Sequence, residues 1–341
     1  MMNRRYQGQG LPDSPRIAVI SNDAIGNFVA ATPVMQLLRT NFPGCHMTYF
    51  GGTRVSELAD ASDLFEAWFE LHGSHPGAVA QRLTREVGVY DLVVNMERDF
   101  VAKFAAMALV GQNGYVSGPC LREDARGDLE YPVDAQGDLA RDMEWISEEI
   151  TTKYPFLESG FICEIVCRMA YLKGQVPKYK LPSADPGRDI PDVLISTSAS
   201  LPEKLWPTSN WVEALSSLKA SGVSVGLLGA KPKDQSKYWK GSDLESELVD
   251  MQLVEDLRGT LTMPQVVGAL AKAKSVLTLD NGILHLAVAG GRPVVGLYRY
   301  GIHRLWAPPY ENLTVLNPGL NKPVSEIPVN LVLETVHSTL G

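Results

Sequence analysis

A β-rich run, a polar turn, an apolar-periodic helix and a second β-rich run follow one another in both halves of this 341-residue chain. Parallel strands need a crossover helix between them, so a repeat of this pattern indicates parallel sheets covered by helices. The segments are the strands 16–21, 46–52, 90–97, 193–199, 223–230, 275–280 and 293–298, and the helices 28–43, 211–222, 263–273 and 282–291. The predicted fold class is α/β, with two Rossmann-like, doubly wound domains that face each other across a cleft.

The pattern stops after Lys173 and restarts near Val193, with a stretch rich in Pro, Gly and charge between them. A stretch of this composition predicts a linker, and the length of the chain also favours two domains. We expect a first domain at 1–175, a linker at 176–190, a second domain at 191–322 and a closing helix at 323–341. Ligands of such sheets bind outside the carboxyl ends of the strands, so the polar turns at those ends are the candidate sites.

Composition and missing motifs exclude several function classes. The net charge of −8 argues against nucleic acid as a partner. No GxGxxG and no GxxxxGK[ST] occurs in the sequence, which disfavours dinucleotide oxidoreductases and P-loop kinases. The four cysteines form no CxxC pair, so buried thiols are favoured over a metal site, and no metal is predicted.

The first residues of the chain contain no apolar run of the kind that a secretion signal requires. The longest apolar segment, 100–111, is too short to span a bilayer and contains Lys103. These features predict a cytoplasmic protein, and they leave open a peripheral association with the inner face of the cytoplasmic membrane.

The turn at the end of the predicted strand 275–280 combines Asp280, Asn281 and Gly282 at the start of a helix, with His285 one turn further on. Free N–H groups and the helix dipole favour an anion such as a diphosphate at that position. The alternative is that Asp280 or Asn281 caps the helix and that His285 packs in the core.

Two further turns carry polar groups. Ser198, Ser200 and Lys204 follow the first strand of the second domain, and a lysine is a common phosphate partner. The alternative for Lys204 is a solvated surface lysine, while Trp206 and Trp211 are expected to pack beneath the loop.

In the first domain, Asn27 precedes the predicted helix 28–43, the ordinary position of an N-cap. Gly26 and Asp23 belong to the same turn, and Glu97 and Asp99 follow another strand. We expect these residues on the acceptor side of the cleft.

Three segments together resemble glycosyltransferase family 9, whose best-known members are the ADP-heptose:lipopolysaccharide heptosyltransferases. Residues 16–50 resemble the family's opening strand, its Gly-Asp turn and its helix that begins near Thr-Pro. Residues 204–211, KLWPTSNW, match its Lys/Arg-x-Trp-Pro element. Residues 258–298 resemble its donor signature, in which an Asp-Ser/Thr-Gly turn is followed three residues later by His.

The resemblance implies a GT-B fold, a donor nucleotide in the second domain, an acceptor in the first, and inversion without an essential metal or other cofactor. It implies that Asp280, Asn281, Gly282 and His285 hold the diphosphate, with Ser200 and Lys204 assisting, and that Lys204 offsets charge on the departing nucleotide. It also implies that the closing helix returns to the first domain. The other donor-side residues are Ser198, Gly229, Ala230, Lys231 and Leu261, and the segment 227–234 is expected near the ribose and adenine.

The sequence departs from the family at two positions. Asn27 stands where the family has the Asp taken to be its general base, and an amide cannot accept the acceptor's proton. Either Asp23, Glu97 or Asp99 replaces that base, or the acceptor is handled differently, or activity is low. Lys231 stands where heptosyltransferases often have a ribose-binding carboxylate, so the identity of the nucleotide is left open. The candidate catalytic residues are Asn27, Asp23 and Lys204.

The predicted function is that of an inverting glycosyltransferase that moves a sugar, heptose by resemblance, from ADP-heptose to a hydroxyl acceptor such as lipopolysaccharide core. Two alternatives are a nucleotide-sugar-binding protein with weak or no transferase activity and a GT-B-type nucleotide-sugar epimerase. The acidic segment 120–154 is read either as an acceptor-side flap or as a solvated connector.

Overall fold

The computed structural model describes residues 4–72, 88–231 and 242–340. The chain divides into two compact units, Met1–Lys180 and Leu181–Gly341. The division falls within the stretch 176–190 that we read as a linker.

The first unit is built on a parallel sheet with strand order β3-β2-β1-β4-β5 among its described residues. Its strands are β1 (Arg16–Ile20), β2 (His46–Gly52), β3 (Ala67–His72), β4 (Tyr90–Asn95) and β5 (Val110–Ser117). Its helices are α1 (Ile25–Asn41), α2 (Ser56–Asp60), α3 (Phe100–Leu109), α4 (Ala135–Arg141), α5 (Ile150–Lys153) and α6 (Ile162–Met169), with a 3₁₀ turn at Thr53–Val55.

The central strands of this sheet bring two polar turns to one edge. Strands β1 and β4 are neighbours, with Ile20 opposite Asn95 in the register. The turn after β1 leads into α1 and the turn after β4 leads into α3, and both turns lie at the carboxyl ends of the strands. The polar residues expected on the acceptor side therefore share one sheet edge, as parallel connections require.

An interior proline interrupts the hydrogen bonding of α1. Pro33 has no N–H, so Val29 O loses its helical donor. The Thr32 hydroxyl donates to that oxygen at 2.8 Å, and its own oxygen accepts the Lys180 N–H at 3.2 Å. The gap in the helix is thus filled by a side chain that also binds the end of the unit.

The second unit has a parallel sheet with strand order β11-β10-β9-β6-β7-β8 in the described part of the chain. Its strands are β6 (Val193–Ser196), β7 (Val225–Leu227), β8 (Glu255–Asp256), β9 (Ser275–Leu279), β10 (Val294–Leu297) and β11 (Leu313–Leu316). Its helices are α7 (Thr208–Ala220), α8 (Ser242–Asp250), α9 (Met263–Lys272), α10 (Gly282–Ala289), α11 (Ile302–Trp306) and α12 (Val329–Thr339), with 3₁₀ turns at Pro202–Lys204 and Val324–Glu326.

The closing helix α12 belongs to the core of the second unit. It packs against α7, β9 and β10, and its Val332 and Val336 are buried. Trp206 and Trp211 lie in the same core at an edge-to-face distance of 5.1 Å, as expected for residues that pack beneath the loop. The expected return of the closing helix to the first domain is corrected by this packing, because α12 buries its apolar face on its own unit.

The cysteines are buried free thiols. Cys45, Cys120, Cys163 and Cys167 are all buried, and the last two lie on α6. Across the described residues, no group of three or more His, Cys, Asp or Glu side chains is arranged to hold a metal ion. Among the same residues, no helix is long and apolar enough to cross a membrane.

Helix α9 fixes the segment that opens the second unit. The Ala184 N–H donates to Pro264 O at 2.9 Å, and Ala184 O lies so close to Gly268 that a Cβ on this glycine would approach it to 1.9 Å. Lys272 and Asp185 add an ion pair of 2.8 Å. Contact this close is available only to a residue without a side chain.

The substitution Gly268→Ala is expected to lower the free energy of unfolding. Overpacking of this kind typically costs about 1–3 kcal/mol, although alanine itself is the better helix former. Gly10→Ala is the matched control, because a Cβ at Gly10 meets nothing within 4 Å. Thermal unfolding of both variants is the measurement, and equal melting temperatures would contradict the packing described for Ala184.

Candidate functional site

The predicted donor residues of the second unit meet at the corner where β9 ends and α10 begins. Asp280 directly follows β9, Asn281 is the N-cap residue of α10, and Gly282 is its first residue. The pairing with β10 extends to this point, since the Asp280 N–H donates to Leu297 O at 3.2 Å. This corner lies at the carboxyl ends of the strands, the edge at which such sheets bind ligands.

The side chain of Asn281 holds the corner together. Its Oδ1 accepts from the Leu284 N–H at 3.2 Å, and its Nδ2 donates to Ser198 O at 2.7 Å and Ser196 Oγ at 3.2 Å. Asn281 therefore caps the helix, as one of the two sequence-based alternatives predicted. Its side-chain amide is hydrogen-bonded to protein partners, and the role of Asn281 in holding a diphosphate stays a prediction.

The main chain of α10 remains suited to an anion. The N–H groups of Gly282 and Ile283 are the first two of the helix and have no acceptor within it. They lie at the positive end of the helix dipole, where an anion is stabilised.

Lys204 and Asp280 form an ion pair in this corner. The Lys204 ammonium is 2.7 Å from Asp280 Oδ2, but it is out of line for a hydrogen bond, and it donates instead to the main-chain oxygen of Asp280 at 3.3 Å. The two side chains are only 15% and 7% exposed, so each charge depends on the other. Lys204 is thus not a solvated surface lysine.

His285 is buried beneath the corner. Its side chain is edge-to-face with Trp306 at 6.2 Å, and the residue is 3% exposed. Burial lowers the pKa of the imidazole to about 4; nearby Asp280 opposes the shift, and Lys204 adds to it. The ring is therefore neutral at pH 7 and lies behind the surface, as in the alternative in which His285 packs in the core.

The two predicted serines differ in placement. Ser198 offers its main-chain oxygen to Asn281, whereas Ser200 is exposed. Both follow β6 and precede the 3₁₀ turn that contains Lys204. Ser200 is therefore the more exposed of the two residues.

The remaining donor-side residues lie beyond β7. Gly229 O accepts the Gly259 N–H at 2.9 Å, Ala230 and Lys231 are exposed, and Leu261 is half-buried. Gly259 has φ of +61°, and a Cβ there would come within 2.1 Å of Lys231 Cγ, so only glycine permits this approach. Residues 232–234 of the segment expected near the ribose lie outside the described residues.

In the first unit, α1 begins earlier than the sequence indicated. The helix starts at Ile25 with Ala24 as its N-cap residue, so Gly26 and Asn27 belong to its first turn. The expectation that Asn27 caps the helix is wrong, because residues 25–27 are already helical. The side chain of Asn27 donates instead to Glu97.

Glu97 connects the two polar turns of this sheet edge. Its Oε1 accepts from Asn27 Nδ2 at 2.9 Å and from the Asn22 N–H at 3.0 Å, and its Oε2 accepts from Asn22 Nδ2 at 3.0 Å. Burial raises the pKa of Glu97 above its usual value, although the hydrogen bonds from Asn27 and Asn22 oppose the shift. A half-buried carboxylate with a raised pKa is a candidate for proton transfer.

The other two candidate carboxylates, like Glu97, accept main-chain N–H groups. Asp23 Oδ1 accepts from the Arg54 N–H at 2.8 Å. Asp99 is the N-cap residue of α3, and its Oδ1 accepts from the Ala102 N–H at 3.0 Å. Both therefore stabilise turns at the sheet edge, and of the three carboxylates only Glu97 has a described hydrogen bond with Asn27.

Sequence reasoning missed two residues at the end of β10. The Tyr298 hydroxyl is buried near Asp280 and has no hydrogen-bond partner among the described residues. Arg299 follows it, with NH1 3.3 Å from Glu203 Oε1. The signal was present in the sequence, because Tyr298 ends the predicted strand 293–298 and Arg299 directly follows it, so both lie at the carboxyl end of the strand.

Comparisons with known proteins agree with the resemblance. Residues 169–325 match the model for glycosyltransferase family 9 (heptosyltransferase). The chain is 22% identical over 297 residues to lipooligosaccharide heptosyltransferase 2 of Haemophilus influenzae. This alignment covers 83% of this chain and 82% of that protein.

Two solved structures have the same fold. The glycosyl transferase family 9 protein of Veillonella parvula DSM 2008 superposes with a TM-score of 0.71 at 17% identity, covering 97% of this chain and 98% of that one. The ADP-heptose lps heptosyltransferase II of E. coli superposes with a TM-score of 0.66 at 16% identity, covering 95% and 98%. These structures confirm the predicted GT-B fold, and the family match together with the heptosyltransferase relative supports the assignment to a glycosyltransferase.

The buried His285 is expected to make stability depend on pH. Its pKa is about 4 in the folded chain against an ordinary value of 6.5, so between these values the unfolded chain binds a proton that the folded chain does not. Stability is therefore fully present above pH 6.5 and decreases as the pH falls toward 4, by up to about 3 kcal/mol from this group.

The measurement is chemical denaturation of the wild type and His285→Gln across this pH range. The wild type should lose more stability than the variant as the pH falls. Parallel pH profiles would show that the ring is accessible to protons in the folded chain, contrary to its burial.

Proposed function

We propose that this chain is a member of glycosyltransferase family 9 and that it transfers a sugar from a nucleotide-diphosphate sugar to a hydroxyl acceptor with inversion at the anomeric carbon. The donor we propose is ADP-heptose, because the names of related proteins specify heptosyl transfer and, in one case, ADP-heptose. The acceptor we propose is a glycan of the lipopolysaccharide-core type, as those names also indicate. The observation that carries the proposal is the donor corner: β9, Asp280, Asn281 and the first turn of α10, together with Lys204.

The corner suits a diphosphate for two reasons. The N–H groups of Gly282 and Ile283 lie at the helix N-terminus, and the Lys204 ammonium is held beside them by its ion pair with Asp280. When the bond to the sugar breaks, negative charge grows on the departing diphosphate. Donors and a cation fixed in advance stabilise such growing charge without reorganisation.

In this proposal the general base is Glu97. An inverting transfer needs a group that takes the proton of the acceptor hydroxyl while its oxygen attacks the anomeric carbon. All three candidate carboxylates accept a main-chain N–H, but Glu97 is the one that also accepts a hydrogen bond from Asn27, the position at which the family has its carboxylate. The amide of Asn27 then orients Glu97, and the raised pKa brings its basicity closer to neutral pH.

The proton and the charges balance in this scheme. Glu97 receives the acceptor's proton, the acceptor oxygen forms the new glycosidic bond, and the nucleoside diphosphate leaves with the electron pair of the bond that breaks. Glu97 afterwards releases its proton to solvent.

The proposal predicts selective stabilisation by nucleotides. ADP and ADP-heptose are expected to raise the melting temperature more than GDP, UDP or their sugars, since a ligand present at about 100 times its Kd stabilises by about 2.7 kcal/mol. Thermal unfolding with each ligand is the measurement. A chain that responds to none of them would contradict the donor assignment.

Nucleotide release in the presence of acceptor then separates the alternatives. Binding of a sugar nucleotide without release would favour the binding-protein alternative. An isomerised sugar nucleotide formed without acceptor would favour an epimerase.

Glu97→Gln is expected to lower kcat about 10²- to 10⁴-fold, which is the usual contribution of a general base. The amide keeps the size of the side chain but cannot take the proton, so affinity for the nucleotide should not change. In the wild type, kcat/KM should rise with pH through the raised pKa of Glu97. Rates of nucleotide release at several pH values are the measurement.

Asp99→Asn is the matched control, because it removes a carboxylate from the same edge and asparagine keeps the helix cap. Its rate should stay close to that of the wild type. A large loss in Asp99→Asn or Asp23→Asn, with little loss in Glu97→Gln, would assign the base elsewhere.

A further inference from the structure

Arg299 leaves the second sheet beside the donor corner. Strands β9 and β10 are paired in parallel with Leu279 opposite Leu297. Two residues further along each strand, Arg299 and Asn281 emerge at the same edge. The cation is thus next in the sheet to the turn that starts α10.

The guanidinium is linked to the same 3₁₀ turn as the ion pair of the corner. Arg299 NH1 is 3.3 Å from Glu203 Oε1, and the next residue along the chain is Lys204, which pairs with Asp280. The Lys204–Asp280 pair therefore connects the 3₁₀ turn to the end of β9, and the Arg299–Glu203 pair connects the same turn to the end of β10. The two pairs differ in exposure, since Arg299 and Glu203 are 29% and 49% exposed.

Arg299 has hydrogen-bonding capacity that the protein does not use. Its Nε is buried and has no hydrogen-bond partner in the described part of the chain. A guanidinium carries five N–H donors arranged as a planar fork. One contact of 3.3 Å to Glu203 leaves most of these donors available to a bidentate acceptor.

The charge of the corner favours a further cation. Lys204 and Asp280 neutralise each other, and the His285 ring is neutral at pH 7. Without another positive group, only helix N–H groups would oppose the two or more negative charges of a diphosphate. A partly exposed ion pair such as Arg299–Glu203 contributes little stability, so phosphate oxygens can replace Glu203 at low cost.

We propose that Arg299 is a ligand of the donor's diphosphate and that Glu203 competes with the phosphate for its guanidinium. The inference rests on the proposed function, because it takes the corner to be the diphosphate site. Arginine matches phosphate with two parallel N–H···O bonds, which a lysine cannot form. Glu203 then acts as a positioning residue that holds the fork at the edge of the site.

The test measures the Kd of wild type and variants by calorimetry, with whichever of ADP, GDP and UDP binds the wild type most tightly and with inorganic pyrophosphate. Arg299→Gln should weaken both probes about 10- to 100-fold, the range of charge-assisted hydrogen bonds. Arg299→Lys should recover only part of the loss, because it restores the charge without the fork. Glu203→Gln should strengthen binding several-fold, roughly the contribution of an exposed ion pair.

Arg292→Gln is the matched control. Arg292 is an exposed arginine that precedes β10, so it lies at the opposite end of the strand, and its Nε donates to Ala271 O at 2.9 Å. The substitution removes the same charge without touching the corner, and the Kd should stay within about twofold of the wild type, as expected for a distant exposed charge.

The outcomes separate the two proposals. If the wild type binds a nucleoside diphosphate and Arg299→Gln binds it equally well, the role of Arg299 is overturned and the donor corner stands. If the wild type binds none of the probes, both proposals fall. If Arg299→Gln lowers the melting temperature of the unliganded protein and Arg299→Lys restores stability and affinity together, the role of Arg299 is structural and the inference is overturned.

Discussion

The ion pair between Lys204 and Asp280 is the interaction on which the donor corner depends. A charge removed from water in this way is costly unless a partner of opposite sign is close, and here the nitrogen and oxygen are 2.7 Å apart. The pair holds the loop after β6 against the end of β9, and both lie beside the N-terminus of α10. An anion that binds there meets a cation already fixed in place, but one whose charge is largely offset. In the proposed function, carboxylates and phosphates therefore compete at this corner for a small number of cations.

In the proposed function, the general base of the first unit keeps its place in space while its position in the chain changes. Asn27 stands where related transferases are expected to have a carboxylate, and Glu97 brings a carboxylate to that amide from the neighbouring strand. Strands β1 and β4 are adjacent in the sheet, so a residue after either one reaches the same edge. Substitution between neighbouring strand ends is a change that a parallel sheet accommodates readily.

Much of the fold followed from the sequence, since buried parallel strands appear as continuous apolar runs between polar turns. The ends predicted for β2, β9, α10 and β10 differ from those in the structure by two residues or fewer, and the order β9, turn, α10, β10 was predicted. Strand β5 was missed because its residues, VGQNGYVS, include glycines and polar side chains. The start of α1 was predicted three residues too late, because the first turn of the helix contains no apolar-periodic signal.

The site was harder to predict, since its pairs join residues far apart in sequence. Lys204 and Asp280 are 76 residues apart, Asn27 and Glu97 are 70 apart, and Glu203 and Arg299 are 96 apart. Local patterns identify such residues as candidates but do not pair them. The proline in α1 is a related case. Its missing N–H leaves Val29 O to the Thr32 hydroxyl, and the oxygen of that hydroxyl also accepts the Lys180 N–H. The last residue of the first unit is thereby attached to the helix whose first turn contains Asn27. Any tilt of that helix would consequently move the amide beside Glu97 and redirect the outgoing backbone at the same time.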